Sequence, residues 1–583
     1  MGLLLVRCCA VGGASVMGGA AAASAQTPGS DAALARTKRL TLVACILGST
    51  IVLLDGSVVN VALPTIQRAL GGGLAAQQWV VNGYLLTLGS LILVGGSLGD
   101  LFGERRVFAI GVAGFGVASL ACALAPTIVA LVIARALQGV AGALLVPSSL
   151  AVIVNTFSES ERGKAIGSWT AWGAIAGVLG PLAGGELLAI GSWRLIFLIN
   201  IPLAIVCVAL ILLVIPAPAP RPPSGRRIDY PGAVLCALGL GGPVFALIEQ
   251  PRLGWSSPEV LVPLIGGVAL FALFTLYESR ASDPMLPLGL FRRRNFAAGN
   301  VETFAMYAGL SIVFFFLVLF LQQIGGYTPL QSGLATLPAT LMMFFLSRRF
   351  GGLADRYGPR LFMGAGPLVA AGGLLLFLGI GTQVDYVSEV LPGVLLFALG
   401  LSMTVAPLTA AVLAGSERQA GIASGVNNAV ARVAGLLGTA AVGAAVAGSF
   451  VSSLDQHLAG VRLGPAADAA VRAAKRLPLG RPDVAGLPVG QAHAVSHAAE
   501  QASLHSFHLG MAIAAMLVAL GGLVGVAGIR NPRPTSDADV HAVDCASGQL
   551  VGINPEPELG HKPGISPERS PRPARASTRA SPR

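Results

Sequence analysis

The sequence predicts an all-α integral membrane protein with fourteen spans, on three observations: overall hydropathy, the length of the apolar runs, and the side on which Lys and Arg fall. Mean hydropathy is +0.75, with 54% hydrophobic and 11% charged residues in a chain of 583. That is more apolar surface than a soluble core of this size hides. The apolar residues come in separate runs of about 18 to 25, the length that crosses a hydrocarbon core of roughly 30 Å at about 1.5 Å per residue. The 76 glycines and 37 prolines would punctuate soluble helices badly, but membrane helices tolerate both, and small residues let their backbones approach closely.

Runs bounded by charges or Gly/Pro clusters fall at about 40–64, 78–98, 107–125, 127–149, 165–190 and 195–215, a first six-helix bundle (40–215). Residues 1–39 precede it as a disordered extension or a mis-assigned start, with a signal-like apolar stretch after Arg7 that a membrane protein with a cytoplasmic N-terminus does not need. The Pro-rich, charged segment 216–229 is a linker. Two further runs occupy 230–278, and a charged loop follows at 279–296. A second bundle (297–530) holds runs at about 297–321, 331–350, 361–381, 389–414, 421–449 and 506–529, with a long external loop at 450–505. The tail 531–583 is rich in Pro, Ser and Arg and is expected to be disordered, grazing anionic lipid.

Arg36, Lys38, Arg39, Arg105, Arg106, Arg162, Lys164, Arg226, Arg227, Arg292, Arg293, Arg294, Arg356, Arg360, Arg418 and Arg530 all land on one side of a fourteen-span arrangement. The opposite short loops hold little beyond Arg68, Arg194 and Arg252. The positive-inside bias therefore places both termini in the cytoplasm and the protein in the inner (plasma) membrane. The net charge of +11 does not indicate nucleic-acid binding, because the basic residues sit in short loops or tails and form no soluble, aromatic-interleaved surface. Cys45, Cys122, Cys207 and Cys236 lie in apolar runs and Cys8, Cys9 and Cys545 in the tails, which is no disulfide framework.

Two glycine-rich segments with a central carboxylate occupy equivalent places in the two bundles. One runs from Gly96 through Asp100, Gly103 and Arg105 to Arg106; the other from Gly351 through Asp355, Arg356 and Gly358 to Arg360. Glycine allows a tight turn at the membrane edge, and the carboxylate can pair with a basic group or cap a helix. In the fifth run Gly173, Gly177, Gly180 and Gly184 recur at helical spacing with Pro181 and Gly185, a face that can pack tightly and bend.

The paired segments resemble the cytoplasmic loop signature of the major facilitator superfamily. Leu54-Asp55-Gly56 to Pro64, Arg135-Ala136-Leu137-Gln138-Gly139, Gly180-Pro181-Leu182-Ala183-Gly184-Gly185 and Trp193 to Pro202 are similar to motifs of its fourteen-helix drug/proton antiporters. The resemblance spans residues 40–530. It implies a major facilitator fold of two six-helix bundles plus two central helices, and a proton-coupled exporter of small lipophilic compounds, drugs or antibiotics. Leu101 and Glu104 depart from the loop signature, where basic residues are expected, and put its usual charge network in doubt in the first half.

Ionisable groups inside the membrane are the sharper signal, since each costs roughly 2.5–3.5 kcal/mol even on the lenient insertion scale. Asp55 and Arg135 are the candidates for proton coupling; a structural Asp–Arg pair is the alternative for both. Arg432 is open between pathway and structural pairing, and Glu302 between transport and an interfacial ion pair with Arg292, Arg293 or Arg294. Gln138 shares the Arg135 face, and Trp169, Trp172, Met306 and Tyr307 are further pathway candidates.

His493 and His497 stand at i and i+4, with His505 and His508 following, but the Ala-rich context favours a solvated amphipathic helix over a metal site. No cofactor is implied. The expected partners are protons, a small lipophilic substrate and the bilayer, and no feature names a membrane-fusion adaptor. The rival readings are an exporter of an endogenous metabolite, a nutrient importer, and a polytopic membrane enzyme. Asp455, Asp468 and Asp483 show none of the pairing that an enzyme would need.

Overall fold

The computed structural model describes residues 28–216, 229–413 and 420–531. Arg226, Arg227, Arg418, the tail beyond 531, and Cys8, Cys9 and Cys545 lie outside the described residues. The described residues are helical, without strands. In order the helices are α1 (Pro28–Leu70), α2 (Leu74–Phe102), α3 (Glu104–Leu124), α4 (Ile128–Thr156), α5 (Glu159–Ile190), the short α6 (Leu195–Leu198) and α7 (Asn200–Val214). There follow α8 (Tyr230–Leu253), α9 (Pro258–Glu278), α10 (Arg294–Gln323), α11 (Pro329–Tyr357), α12 (Pro359–Leu376), α13 (Leu391–Leu413), α14 (Ala420–His457), α15 (Pro465–Ala474) and α16 (Val489–Gly528).

Thirteen helices among the described residues are long and apolar enough to cross a membrane, with α6 and α7 making one span. The remaining long helix, α5, has 32 residues and an apolar stretch at Leu179–Ile190. The fourteen expected runs are all present. α1 begins at Pro28, inside the stretch expected to be disordered up to residue 39.

The packing repeats. In the first half α1 lies along α5 and α7, α2 along α4, and α3 along α4 and α7; in the second half the equivalent pairs are α10 with α14 and α16, α11 with α13, and α12 with α13 and α16. This is the signature of an internally repeated transporter fold. The halves meet along α2 with α14 and α5 with α11, while α8 and α9 pair with each other and lean through α8 on α2 and α14.

The repeat extends to the turns. Gly103 (φ 91°) and Gly358 (φ 86°) both take the left-handed conformation that favours glycine. Their N–H groups donate to Gly99 O (2.9 Å) and Ala354 O (2.8 Å). Two residues after each turn an arginine caps the last helix of its own half: Arg105 donates to the Ile211 and Leu212 carbonyls (3.3 and 2.6 Å), and Arg360 to the Val526 carbonyl (2.7 Å). Cationic donors at helix C-termini satisfy orphan carbonyls and complement the macrodipole.

The expected long loop at 450–505 is a correction. α14 continues to His457, α15 fills part of the gap, and α16 begins at Val489. Phe450, Leu454, Val471 and Val495 build a small core there, and α15 buries Ala467, Val471 and Ala474. Alanine-rich turns sustain a helix without forming a long apolar run, which is why hydropathy ends the spans too early. From this lobe Arg481 donates to the Gln323 and Ile324 carbonyls (2.9 and 3.1 Å), in the turn between α10 and α11. Gly73, between α1 and α2, lies against the Arg476 carbonyl. The lobe thus touches both halves on the face away from the arginine-capped ends.

Candidate coupling site

Asp55, in the middle of α1, is 1% exposed, as is Arg135 of α4. Arg135 Nη1 donates to Asp55 Oδ2 at 2.5 Å, and Arg135 Nε donates to the Val80 carbonyl of α2 at 3.0 Å. Gln138, one turn along α4 and therefore on the same face, donates from Nε2 to Asp55 Oδ1 (2.9 Å) and to Ser119 Oγ (2.8 Å), and accepts from Arg135 Nη1 at 2.7 Å. Asn200, the first residue of α7, donates to Asp55 Oδ1 at 3.1 Å. Five helices, α1, α2, α3, α4 and α7, thus contribute to one cluster, and α4 and α7 bond the carboxylate itself.

Local sequence explains the convergence. The break between α6 and α7 lets the chain start a helix at Asn200, with Pro202 in the first turn where no N–H is missed. Gly139 lets α4 approach the Tyr84 carbonyl and Thr87 of α2, and Thr87 Oγ1 donates to the Ala136 carbonyl at 2.8 Å. The Tyr84 ring lies 4.3 Å from the Arg135 guanidinium carbon and the Phe197 ring 5.9 Å from it, adding cation–π attraction. Asp55 accepts from three N–H donors, so the arrangement suits the carboxylate, and the desolvation cost of both charges is offset only while all partners stay in place.

The glycine face of α5 packs on this helix. A Cβ at Gly180 would meet Ser57 and the Leu54 carbonyl, one at Gly184 would lie 3.3 Å from Val58, and one at Gly173 would lie 3.0 Å from Leu53. Gly185 and Pro181 press instead on Leu330 and Gly333 of α11, across the seam between halves. The surroundings of Gly177 lie outside the described residues.

In the loop segments, Gly96 of α2 faces Pro147 of α4 and Gly351 of α11 faces Ala406 of α13. Asp100 is exposed, and the Asp355 side chain lies outside the described residues. Glu104, at a position where a basic residue was expected, is 7% exposed and accepts from Asn155 Nδ2 at 3.0 Å. Arg356 is exposed and stacks 5.5 Å from Tyr357.

The remaining candidates scatter. Trp169 is half-buried and donates to Ser49 Oγ at 2.7 Å, Trp172 is 53% exposed, and Met306 belongs to the apolar core at 3% exposure. Tyr307 and Arg432 are half-buried, and Arg432 packs on Gly89 of α2 across the seam. Glu302 makes no interfacial ion pair. Its side chain points inward from α10, is fully buried, and neither carboxyl oxygen has a hydrogen-bond partner. His493 and His497 are exposed with rings stacked 6.1 Å apart, and no group of three metal-binding side chains occurs among the described residues.

Sequence reasoning missed Ser119 as a partner of the cluster and saw Asn200 only as part of a motif. Both are neutral residues in apolar runs, and only the motif around Trp193 to Pro202 flagged either.

Residues 45–439 match the Major Facilitator Superfamily. Multidrug resistance protein Stp of Mycobacterium tuberculosis is 35% identical over 73% of this chain and 78% of its own length. Puromycin resistance protein pur8 of Streptomyces alboniger is 37% identical (71% and 83% covered), and the tetracenomycin C resistance and export protein of Streptomyces glaucescens is 35% identical (70% and 76%). Among solved structures, an inward-facing bacterial homolog of the human lysosomal transporter Spinster aligns with TM-score 0.58 at 16% identity, covering 85% of this chain and 99% of its own. The xylose transporter XylE from E. coli aligns at 0.51 with 13% identity, covering 86% and 98%; both show the same fold. This chain is a multi-pass membrane protein of the Major Facilitator Superfamily.

Proposed function

We propose that the protein exports small lipophilic compounds, of drug or antibiotic class, from the cytoplasm across the plasma membrane in exchange for protons. The names of the bacterial relatives support the substrate class and the membrane. The observation that carries the proton coupling is the Asp55 cluster: a fully buried carboxylate bonded to Arg135, Gln138 and Asn200, deep in a span where an ionisable group is costly.

Protonation of Asp55 would remove the charge that holds Arg135 and place an O–H donor among groups that all donate to this carboxyl. That weakens the hold of α1 on α4 and α7, so the proton shifts the balance between two arrangements of the half. Substrate binding that favours the other arrangement is then coupled to proton release. Burial of the pair at 1% exposure means that proton exchange needs the helices to part.

The two halves are closed against each other at the end away from the arginine-rich face. Gln322 Nε2 of α10 donates to the Val61 carbonyl of α1 at 2.9 Å, α5 presses on α11 at Gly185 and Gly333, and the lobe around Arg481 covers the same end. The arginine-rich face is assigned to the cytoplasm by the positive-inside bias, with both termini on that side. The glycine turns at Gly103 and Gly358, with their capping arginines, then sit where each half must hinge, and Asp100 and Asp355 are assigned to that cycling. Trp169, Trp172, Tyr307 and Arg432 are assigned to the pathway.

The test is accumulation of a panel of lipophilic dyes and antibiotics in a susceptible bacterium with and without the protein, repeated with the proton gradient collapsed. Lower accumulation that returns to the control level on collapse is expected. Export that persists without the gradient would sink the exchange mechanism.

A further inference from the structure

Among the described residues the Asp55 cluster leaves three buried acids unused: Glu104, which accepts from Asn155, Glu278, which accepts from the Leu286 N–H, and Glu302. Glu302 lies in the α10 span, eight residues beyond Arg294 and so about 12 Å along the helix from its start. It is fully buried, and both carboxyl oxygens lack any hydrogen-bond partner. A notch accommodates the carboxyl. A Cβ on Gly525 of α16 would lie 2.7 Å from Glu302 Oε2 and would also meet the Met363 carbonyl of α12, while one on Gly521 would press on Ala305. Only glycine at 525 leaves this room.

The groups packed around it supply no counter-charge. α16 offers glycine, and α12 offers Met363. α14 places Asn427 on Asn300 Oδ1 and Thr303 Oγ1 (3.2 and 2.7 Å), which lie on another face of α10 from residue 302. Arg432 of α14 packs against Gly89 of α2. Described residues of α13 carry no charge. An ionised carboxylate in this notch would bear its full desolvation penalty without a partner, whereas the neutral acid would not.

Two guanidinium groups cap the end of α16, at carbonyls within one turn of Gly525. Arg294 donates to the Ala527 and Gly528 carbonyls (2.6 and 2.9 Å), and Arg360 to the Val526 carbonyl (2.7 Å). Both are exposed on the arginine-rich face, and both would lose these carbonyl partners if α16 shifted relative to α10 and α12.

We propose that Glu302 is a second proton-binding group, carried as the neutral acid while α16 is docked and releasing its proton to water at the arginine-rich face when that end of α16 moves. The carboxylate left behind then pairs with Arg294 or Arg360. This goes beyond the exchange assigned to Asp55, because the two acids lie in different halves and share no partner.

The test uses full-length protein in lipid bilayers. Infrared spectroscopy at neutral pH, in a Glu278→Gln background that removes the other buried acid with an unpartnered carboxyl oxygen, reads the C=O stretch of a protonated carboxyl group, which is expected in the parent and in Asp55→Asn and lost in Glu302→Gln. In the same preparations Glu302→Gln is expected to exchange one proton fewer per substrate moved. A band that survives in Glu302→Gln overturns the proposal. So does an unchanged proton-to-substrate ratio, which would leave Glu302 a packed acid with no part in exchange. Should Glu302→Gln fail to insert, Glu302→Asp must shift the band, and an unshifted band is equally fatal. Failure of the Asp55 assignment shows separately, as undiminished uphill export by Asp55→Asn with the Glu302 band untouched.

Discussion

The two halves repeat the same helix pairs, the same glycine turns and the same arginine caps, yet they treat their buried acids in opposite ways. In the first half Asp55 accepts from Arg135, Gln138 and Asn200; in the second Glu302 has no hydrogen-bond partner at all. A buried carboxyl group is tolerated either by surrounding its charge with donors or by leaving it uncharged. The first half shows the first solution, and the proposal for Glu302 gives the second half the other. The repeat therefore supplies two bundles of like architecture, and the two proposals together give them different responses to a proton: one bundle loosens when it gains a proton, the other when it loses one.

The largest effect expected from breaking this contrast is in Arg135→Ala, which strands Asp55 without its cationic partner and costs about 3–5 kcal/mol. A large drop in the thermal midpoint of the purified protein checks it, and Asp55→Asn in the same background should recover part of the loss. Next comes Asn200→Leu, which removes a neutral donor from the same carboxylate and costs about 1–3 kcal/mol. Midpoint measurements should show it milder than Arg135→Ala. If the two are equal, Asn200 holds the cluster as firmly as the arginine does.

The caps sharpen the comparison further. Arg105 alone meets the end of α7 through two carbonyls, whereas Arg360 shares the end of α16 with Arg294. Arg105→Ala should cost about 1 kcal/mol and Arg360→Ala less, ranked by thermal midpoint. The smallest effect is the exposed Lys38–Glu161 contact (2.6 Å) joining α1 to α5. Hydrogen bonds from Lys38 and Ser158 pull the Glu161 carboxyl down to about 2. A depressed acid contributes its stability above the ordinary carboxylate value and loses it as pH falls toward the depressed one. The midpoint difference between the parent and Glu161→Gln should therefore be constant above about pH 5 and shrink on acidification.

Much of this was legible in the chain. Asp55, Arg135 and Gln138 stood out because charge in an apolar run is expensive and because i, i+3 spacing on α4 puts two of them on one face. The paired glycine segments announced the repeat. What stayed hidden has physical reasons. Ser119 is a small neutral residue whose polarity barely disturbs a hydropathy profile, and Asn200 meets Asp55 across 145 positions of sequence. For Glu302 the sequence leaves transport and an interfacial ion pair both open, because Arg292, Arg293 and Arg294 are close in sequence; the helix turns the carboxyl inward while Arg294 turns to the end of α16. The 450–505 stretch hid its helices because alanine carries helix propensity without strong hydropathy.

The central claim is that Asp55 exchanges the proton that drives export. Asp55→Asn preserves shape and removes that exchange, so the direct measurement is substrate movement in proteoliposomes under an imposed pH gradient, with downhill exchange followed alongside. The account predicts that Asp55→Asn inserts normally, retains downhill movement and loses accumulation against the gradient, while Asp55→Glu keeps part of it. Accumulation by Asp55→Asn equal to that of the parent would contradict the account and move the driving proton away from the first half.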